Sequence, residues 1–175
     1  MVHYEGLPEF VAARGPALLR SAFLLTGDRH RAEDLVQTAL VKLAPRWRRV
    51  SAAGDPETYV RKILYHEHLN WWRRRGQHVF PSAAPPEPAG HPDIADRTVR
   101  SVLLRQALGR LTAKQRALIV LRFYEDRSEN ETATLLGCSV GTVKSQTHRA
   151  LARLRALEPG LAELLTDTEI PEVVR

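Results

Sequence analysis

The chain has a single cysteine, Cys138, among 175 residues. One thiol excludes an intramolecular disulfide and a thiolate-rich zinc site, which need several cysteines at short spacing. No apolar run approaches the roughly 20 residues of a membrane-spanning helix, and Met1 to Phe10 lacks the charged-then-apolar order of a signal peptide. A cytoplasmic protein without membrane insertion is the expectation. The seven histidines are scattered. None forms His-Glu-x-x-His, and His66-Glu67-His68 puts its imidazoles on different helix faces. There is no glycine-rich phosphate loop, no Gly-x-Ser-x-Gly elbow and no Cys/His pair at a catalytic spacing. These absences leave no catalytic residue, metal site or cofactor to expect, and a non-enzymatic protein follows.

Positive charge is what the chain has in excess, with a net charge of +6. Its distribution is informative. Residues 1–75 hold 13 Lys/Arg against 8 Asp/Glu, and residues 97–158 hold 12 against 5. The intervening 76–96 hold none against 3, and 159–175 hold 1 against 4. Two basic blocks with an acidic connector and an acidic tail suit a polyanion binder with two contact surfaces.

The connector, Gly76 to Asp93, contains Pro81, Pro85, Pro86, Pro88 and Pro92 and blocks helix and sheet alike. It reads as a flexible Pro-rich linker. On either side apolar residues recur every three or four positions and no alternating strand pattern occurs, so the fold class is all-α, as two small helical domains. In the first block one helix is expected from Pro8 to Leu25, with Phe10, Ala13, Ala17, Leu18, Phe23 and Leu24 on its apolar side. A second runs from Arg29 to Leu43, ended by Pro45. Asp55-Pro56-Glu57 then starts a third, which finishes in Trp71-Trp72-Arg73-Arg74-Arg75. In the second block helices are expected over Val99–Leu108, Thr112–Tyr124, Ser128–Leu136 and Ser139–Leu157.

The last two carry the clearest signal. Ser128-Glu129-Asn130-Glu131 is a capping box, Gly137 stops the helix, and Ser139 caps the next after a Gly-Cys-Ser turn. That is helix-turn-helix spacing. Val143, Ala150, Leu151 and Leu154 face inward, leaving Thr142, Lys144, Ser145, Gln146, His148 and Arg149 to read base edges in a major groove. Aromatics are only 6% of the chain, so Trp71-Trp72 beside Arg73, Arg74 and Arg75 stands out. Rings that stack on unpaired bases beside cations that hold phosphates make a single-strand platform. Adjacent helical residues point about 100° apart, so one tryptophan is expected in the core and the other partly exposed.

With these residues in view the chain resembles the extracytoplasmic-function (ECF) group of bacterial sigma factors, in a SigE-like branch. Three stretches carry the resemblance: Gly27-Asp28-Arg29 through Ala32-Glu33-Asp34-Leu35-Val36-Gln37-Thr38-Ala39-Leu40; Tyr59-Val60-Arg61-Lys62-Ile63 through Arg75; and Gln115-Arg116 through Gly141-Thr142-Val143-Lys144-Ser145 and Arg149-Ala150-Leu151. It implies a region-two domain over 1–75, a linker over 76–96, a region-four domain over 97–158 and an acidic tail over 159–175. Such a protein binds core RNA polymerase through the beta-prime clamp and beta flap, and recognises promoter DNA as duplex and as melted single strand. The resemblance assigns clamp docking to Asp34, Gln37 and Lys42. It assigns minus-ten recognition and melting to Arg61, Lys62, His66, Asn70 and the Trp71 to Arg75 end, and minus-thirty-five reading to the Thr142 to Arg149 set. His66 and Asn70 depart from the asparagine and aspartate frequent in the group, and His148 replaces a frequent aromatic. The group is commonly held inactive by an anti-sigma factor, an arrangement that this branch does not always follow.

A stand-alone helix-turn-helix regulator binding duplex operator DNA would account for 97–158 alone. A helical adaptor binding only protein would leave the Lys144 to Arg149 pattern without a use.

Overall fold

The computed structural model describes residues 4–75 and 102–157. The expected linker, the acidic tail and the first residues of the helix expected from Val99 lie outside the described residues. All regular structure among the described residues is helical.

The first domain comprises α1 (Leu7–Thr26), α2 (Arg29–Leu43), a 3-10 turn (Ala44–Arg46), α3 (Trp47–Ala52) and α4 (Pro56–Arg75). Its boundaries have local causes. Gly27 closes α1 at a left-handed φ of 69°, with its amide donating to the Phe23 carbonyl. Asp28 then caps α2 by accepting from the Arg31 amide at 2.9 Å, so the chain reverses over two residues. Asp55 accepts from the Thr58 amide at 2.9 Å and starts α4. Leu18, Ala22 and Leu25 of α1 meet Ala32, Ala39 and Leu43 of α2 and Val60 and Leu64 of α4 in the core.

Two details differ from expectation. Ala13 is exposed, because burial in α1 begins only at Leu18. Pro45 ends α2, but the chain continues helically into α3, which the sequence pattern does not announce. Only Trp47 and Val50 of that helix are buried. They suffice because the Trp47 indole donates to the Glu5 carbonyl at 2.7 Å and its ring packs 5.3 Å from that of Phe10.

The second domain comprises α5 (102–109), α6 (Ala113–Ile119) continued by a π turn (Val120–Tyr124), α7 (Glu129–Leu136) and α8 (Val140–Leu157). The Ser128/Glu131 capping box forms reciprocally, at 3.2 and 2.8 Å. These bonds, the backbone one first, hold the Glu131 carboxyl below its ordinary pKa. A second box, Thr112/Gln115, starts α6. Gly137 takes φ 65° at the end of α7, and Ser139 accepts from the Thr142 amide at 3.1 Å to start α8.

The domains pack together, with α4 lying between α2 on one side and α6 and α7 on the other. This double covering buries two rows on α4. Val60, Leu64, His68 and Trp72 form one, and Arg61 and Tyr65 the other. Arg116 of α6 is fully buried and donates to the carbonyls of Leu108 and Leu25 at 2.7 Å each and to that of Gly109 at 3.1 Å. Leu25 belongs to α1, so one guanidinium ties both domains. Burial lowers the pKa of Arg116 to about 10. His68 is buried beside it, and burial, with the Arg116 charge adding to it, lowers the imidazole to about 3.

Candidate nucleic-acid interface

Helix α8 is held by Val143, Ala150 and Leu154, all fully buried, while Leu151 is half-buried against the same core. This fixes which residues point outward. Lys144, Ser145, His148 and Arg149 are exposed on one side of the helix. Thr142 and Gln146 are half-buried. The Thr142 hydroxyl lies 2.9 Å from that of Ser139, so it belongs as much to the cap as to the outer surface. Lys144 lies 3.6 Å from Glu129 of α7, with both side chains well exposed. Such a pair is worth at most about 1 kcal/mol.

The end of α4 separates its tryptophans by role. Trp72 is buried at 8% exposure, and Trp71 is half-buried with its ring 4.9 Å from that of Trp72 at a steep angle. The guanidinium carbons of Arg31 and Arg75 lie 5.1 and 4.6 Å from the Trp71 ring centroid. Cations therefore lie over the Trp71 ring. Arg73, Arg74 and Arg75 are exposed, as is Lys62, while Asn70 is half-buried. A cavity of about 230 Å³ opens between α2 and α4, lined by Asp34, Leu35, Glu67, Trp71, Trp72 and Arg74 among others. It joins a residue nominated for polymerase docking to the aromatic-arginine end. Asp34 and Gln37 are exposed on α2. Lys42 is exposed too, and its ammonium pairs with Glu67 of α4 at 2.6 Å.

Arg61 and His66 are placed differently from the outward residues. Arg61 is buried at 7% exposure. Its guanidinium donates to Glu57 at 2.9 Å and to Glu125 of the second domain at 2.5 Å. Burial opposes its charge, yet Glu125 and Glu57 raise its pKa above the ordinary value. Ser21 and Tyr65 donate to the same Glu125 oxygen at 2.6 and 2.9 Å. Burial first, and then the neighbouring carboxylate, raise the Tyr65 phenol well above its usual pKa. The His66 ring sits against Gly137 of α7, 3.6 Å from where a Cβ would stand. Glu125 carries no mark in the sequence as a partner of α4. Its donors are 60 to 104 residues away in the chain, so no local pattern could announce it.

Two helical domains, one ending in an aromatic-arginine cluster and the other presenting an exposed cationic row on a helix-turn-helix, define the class of helix-turn-helix DNA-binding proteins. Residues 10–78 match the family described as Sigma-70 region 2, and residues 101–154 match Sigma-70, region 4. The RNA polymerase sigma-E factor of Streptomyces avermitilis is 42% identical over 157 residues, covering 89% of this chain and 87% of that one. The ECF sigma factor SigL of Mycobacterium tuberculosis is 32% identical over 146 residues, covering 79% and 80%. Among solved structures, the sigma factor RpoE in complex with the anti-sigma factor NepR, from Bartonella quintana, has a TM-score of 0.65 at 30% identity, covering 86% of this chain and 95% of that one. CnrH in complex with the cytosolic domain of CnrY has a TM-score of 0.60 at 23% identity, covering 90% of each chain, a likeness of fold alone. The chain belongs to the ECF sigma factors, with regions two and four both present. As a sigma factor it binds core RNA polymerase, directs transcription initiation and is not an enzyme. The match over residues 10–78 removes the stand-alone regulator and protein-only adaptor readings, neither of which has a use for that domain.

Proposed function

We propose that the chain divides its work as 1–75 for polymerase docking and minus-ten recognition, 76–96 as connector, and 97–158 for minus-thirty-five reading, with 159–175 an acidic tail outside both. The exposed row Lys144, Ser145, His148 and Arg149 on α8 carries this reading. Its side chains reach outward from a helix whose opposite face is anchored by fully buried residues, the geometry that a major-groove reader needs. Thr142 and Gln146 flank the row. On the first domain, Arg73, Arg74 and Arg75 hold phosphates while Trp71 exchanges its covering guanidinium groups for an unpaired base. Lys62 and Asn70 extend that surface along α4, and Trp72 supports it from the core. Asp34, Gln37 and Lys42 dock the beta-prime clamp, and the second domain meets the beta flap. Likeness to RpoE, solved with NepR, supports an anti-sigma factor as a further partner.

The test is promoter selection by reconstituted holoenzyme. Lys144→Ala or Arg149→Ala should weaken minus-thirty-five binding by about 1–3 kcal/mol, as for a bidentate base contact, and relax base preference there. Unchanged affinity and preference in both variants would show that α8 faces DNA with other residues.

A further inference from the structure

Resting on the reading of α4 and α8 as the two DNA-facing helices, we propose that the free protein holds itself closed by an acidic clasp. In it, Glu125 of the second domain binds Arg61 and Tyr65 of α4 and keeps the protein from loading onto polymerase and promoter until the clasp opens.

The clasp is built from donors on two helices of one domain and a single carboxylate of the other. Ser21 of α1, with Arg61 and Tyr65 of α4, converge on one Glu125 oxygen, and that carboxylate side chain is only 4% exposed. Arg61 donates to Glu125 through one Nη and to Glu57 of its own helix through Nε and the other Nη, so the donor left for a DNA phosphate is held by a carboxylate of the second domain. The carboxylate is presented rigidly. The Glu125 amide bonds the Val120 carbonyl at 2.9 Å, Asp126 turns the chain at φ 50°, and the Arg127 amide bonds the Leu121 carbonyl at 2.9 Å. The Arg122 guanidinium also bonds the Arg127 carbonyl.

Charge explains why a buried carboxylate is needed. Both blocks are strongly basic, with 13 Lys/Arg against 8 Asp/Glu and 12 against 5, so the domains repel each other unless acid lies between them. Around the clasp, His66 packs on Gly137 and Arg116 reaches the Leu25 carbonyl, so α4 and the helix-turn-helix cover one another. This arrangement cannot read a promoter. Elements two helical turns apart are separated by about 70 Å, whereas here the two domains touch.

The experiment uses the full chain with Cys138→Ser and spin labels on cysteines placed at the exposed positions Arg48 and Arg153. Interdomain distances are read by double electron–electron resonance. Binding to core RNA polymerase is measured on the unlabelled chain. One narrow distance is expected without a change at Glu125. Glu125→Lys, which sets a cation against Arg61, should give a broad and longer distribution and bind core polymerase about tenfold more tightly, as for a closed state favoured about ten to one. A broad distribution in the chain with Glu125 intact overturns the clasp. So does a narrow one in Glu125→Lys with helical content intact. If Glu125→Lys loses helicity, Glu125→Gln decides, and a distribution identical to that with Glu125 intact overturns the clasp. Opening without tighter polymerase binding overturns its inhibitory role. Distances that respond as expected while promoter selection ignores Lys144 and Arg149 would refute the DNA-face reading and leave the clasp standing.

Discussion

Replacing Arg116 by methionine sets two large effects against each other. The guanidinium makes two short bonds, to the carbonyls of Leu25 and Leu108, both from a fully buried position. Orphaning two buried acceptors costs about 1–3 kcal/mol each. Against this, removing a buried charge returns solvation, and a pKa lowered to about 10 by burial puts that return near 3 kcal/mol. Taken at about 2 kcal/mol each, the two carbonyls should win by about 1 kcal/mol, a drop of roughly 2–4 °C in Tm for a chain of this size. Thermal and urea melts followed by circular dichroism measure it. Arg116→Lys separates the contributions, because it keeps the charge but offers one nitrogen where Nε and an Nη of the guanidinium each hold a carbonyl. A methionine variant as stable as the parent, or more so, would refute the reasoning. It would show that charge burial outweighs the hydrogen bonds.

His68 sets the acid limit of the fold. Its folded pKa of about 3 lies below the ordinary 6.5, so between these values the unfolded chain binds the extra proton. Stability is full above pH 6.5 and falls as the pH drops towards 3, by about 1.4 kcal/mol per unit. Going from pH 6.5 to 5 should cost about 2 kcal/mol, and His68→Leu should flatten that slope. An equally steep slope in the variant would mean that another group titrates. Arg74→Ala should weaken DNA binding evenly across sequences and reduce the slope of log affinity against log salt by about 1, measured by titration at several salt concentrations. A sequence-dependent loss would instead make Arg74 a base reader. Ser128→Ala removes one half of a formed capping box and should lower stability by about 1 kcal/mol, read from denaturant melts.

How much of this was legible in the sequence depends on where each partner lies. Asp28, Asp55, Ser128, Gly137 and Ser139 act on residues a few positions away, and each sits at the helix boundary that its type announces. The anchoring face of α8 was equally plain, since Val143, Ala150 and Leu154 follow the helical period and are buried. Helix α3 was not, because a Trp and a Val among arginines make no stripe, and its hold comes from Glu5 and Phe10 far back in the chain. The second face of α4 was hidden for the same reason. Arg61, Tyr65 and His68 look like solvent-facing residues, and their polar atoms are met by Glu125 and Ala113 of the other domain, with Glu57 beside Arg61. The resemblance assigns Arg61 and His66 to DNA, while the closed arrangement gives them protein partners.

Reconstitution decides whether this sigma factor selects promoters through its two domains. The purified chain is mixed with core RNA polymerase from a Streptomyces species, and transcript start sites are mapped on genomic fragments. Co-elution with core polymerase is expected, with initiation at discrete sites that share a minus-thirty-five and a minus-ten element and with Lys144→Ala altering the choice among them. Tight duplex binding by the chain alone, with no polymerase binding and no discrete starts, would contradict this expectation.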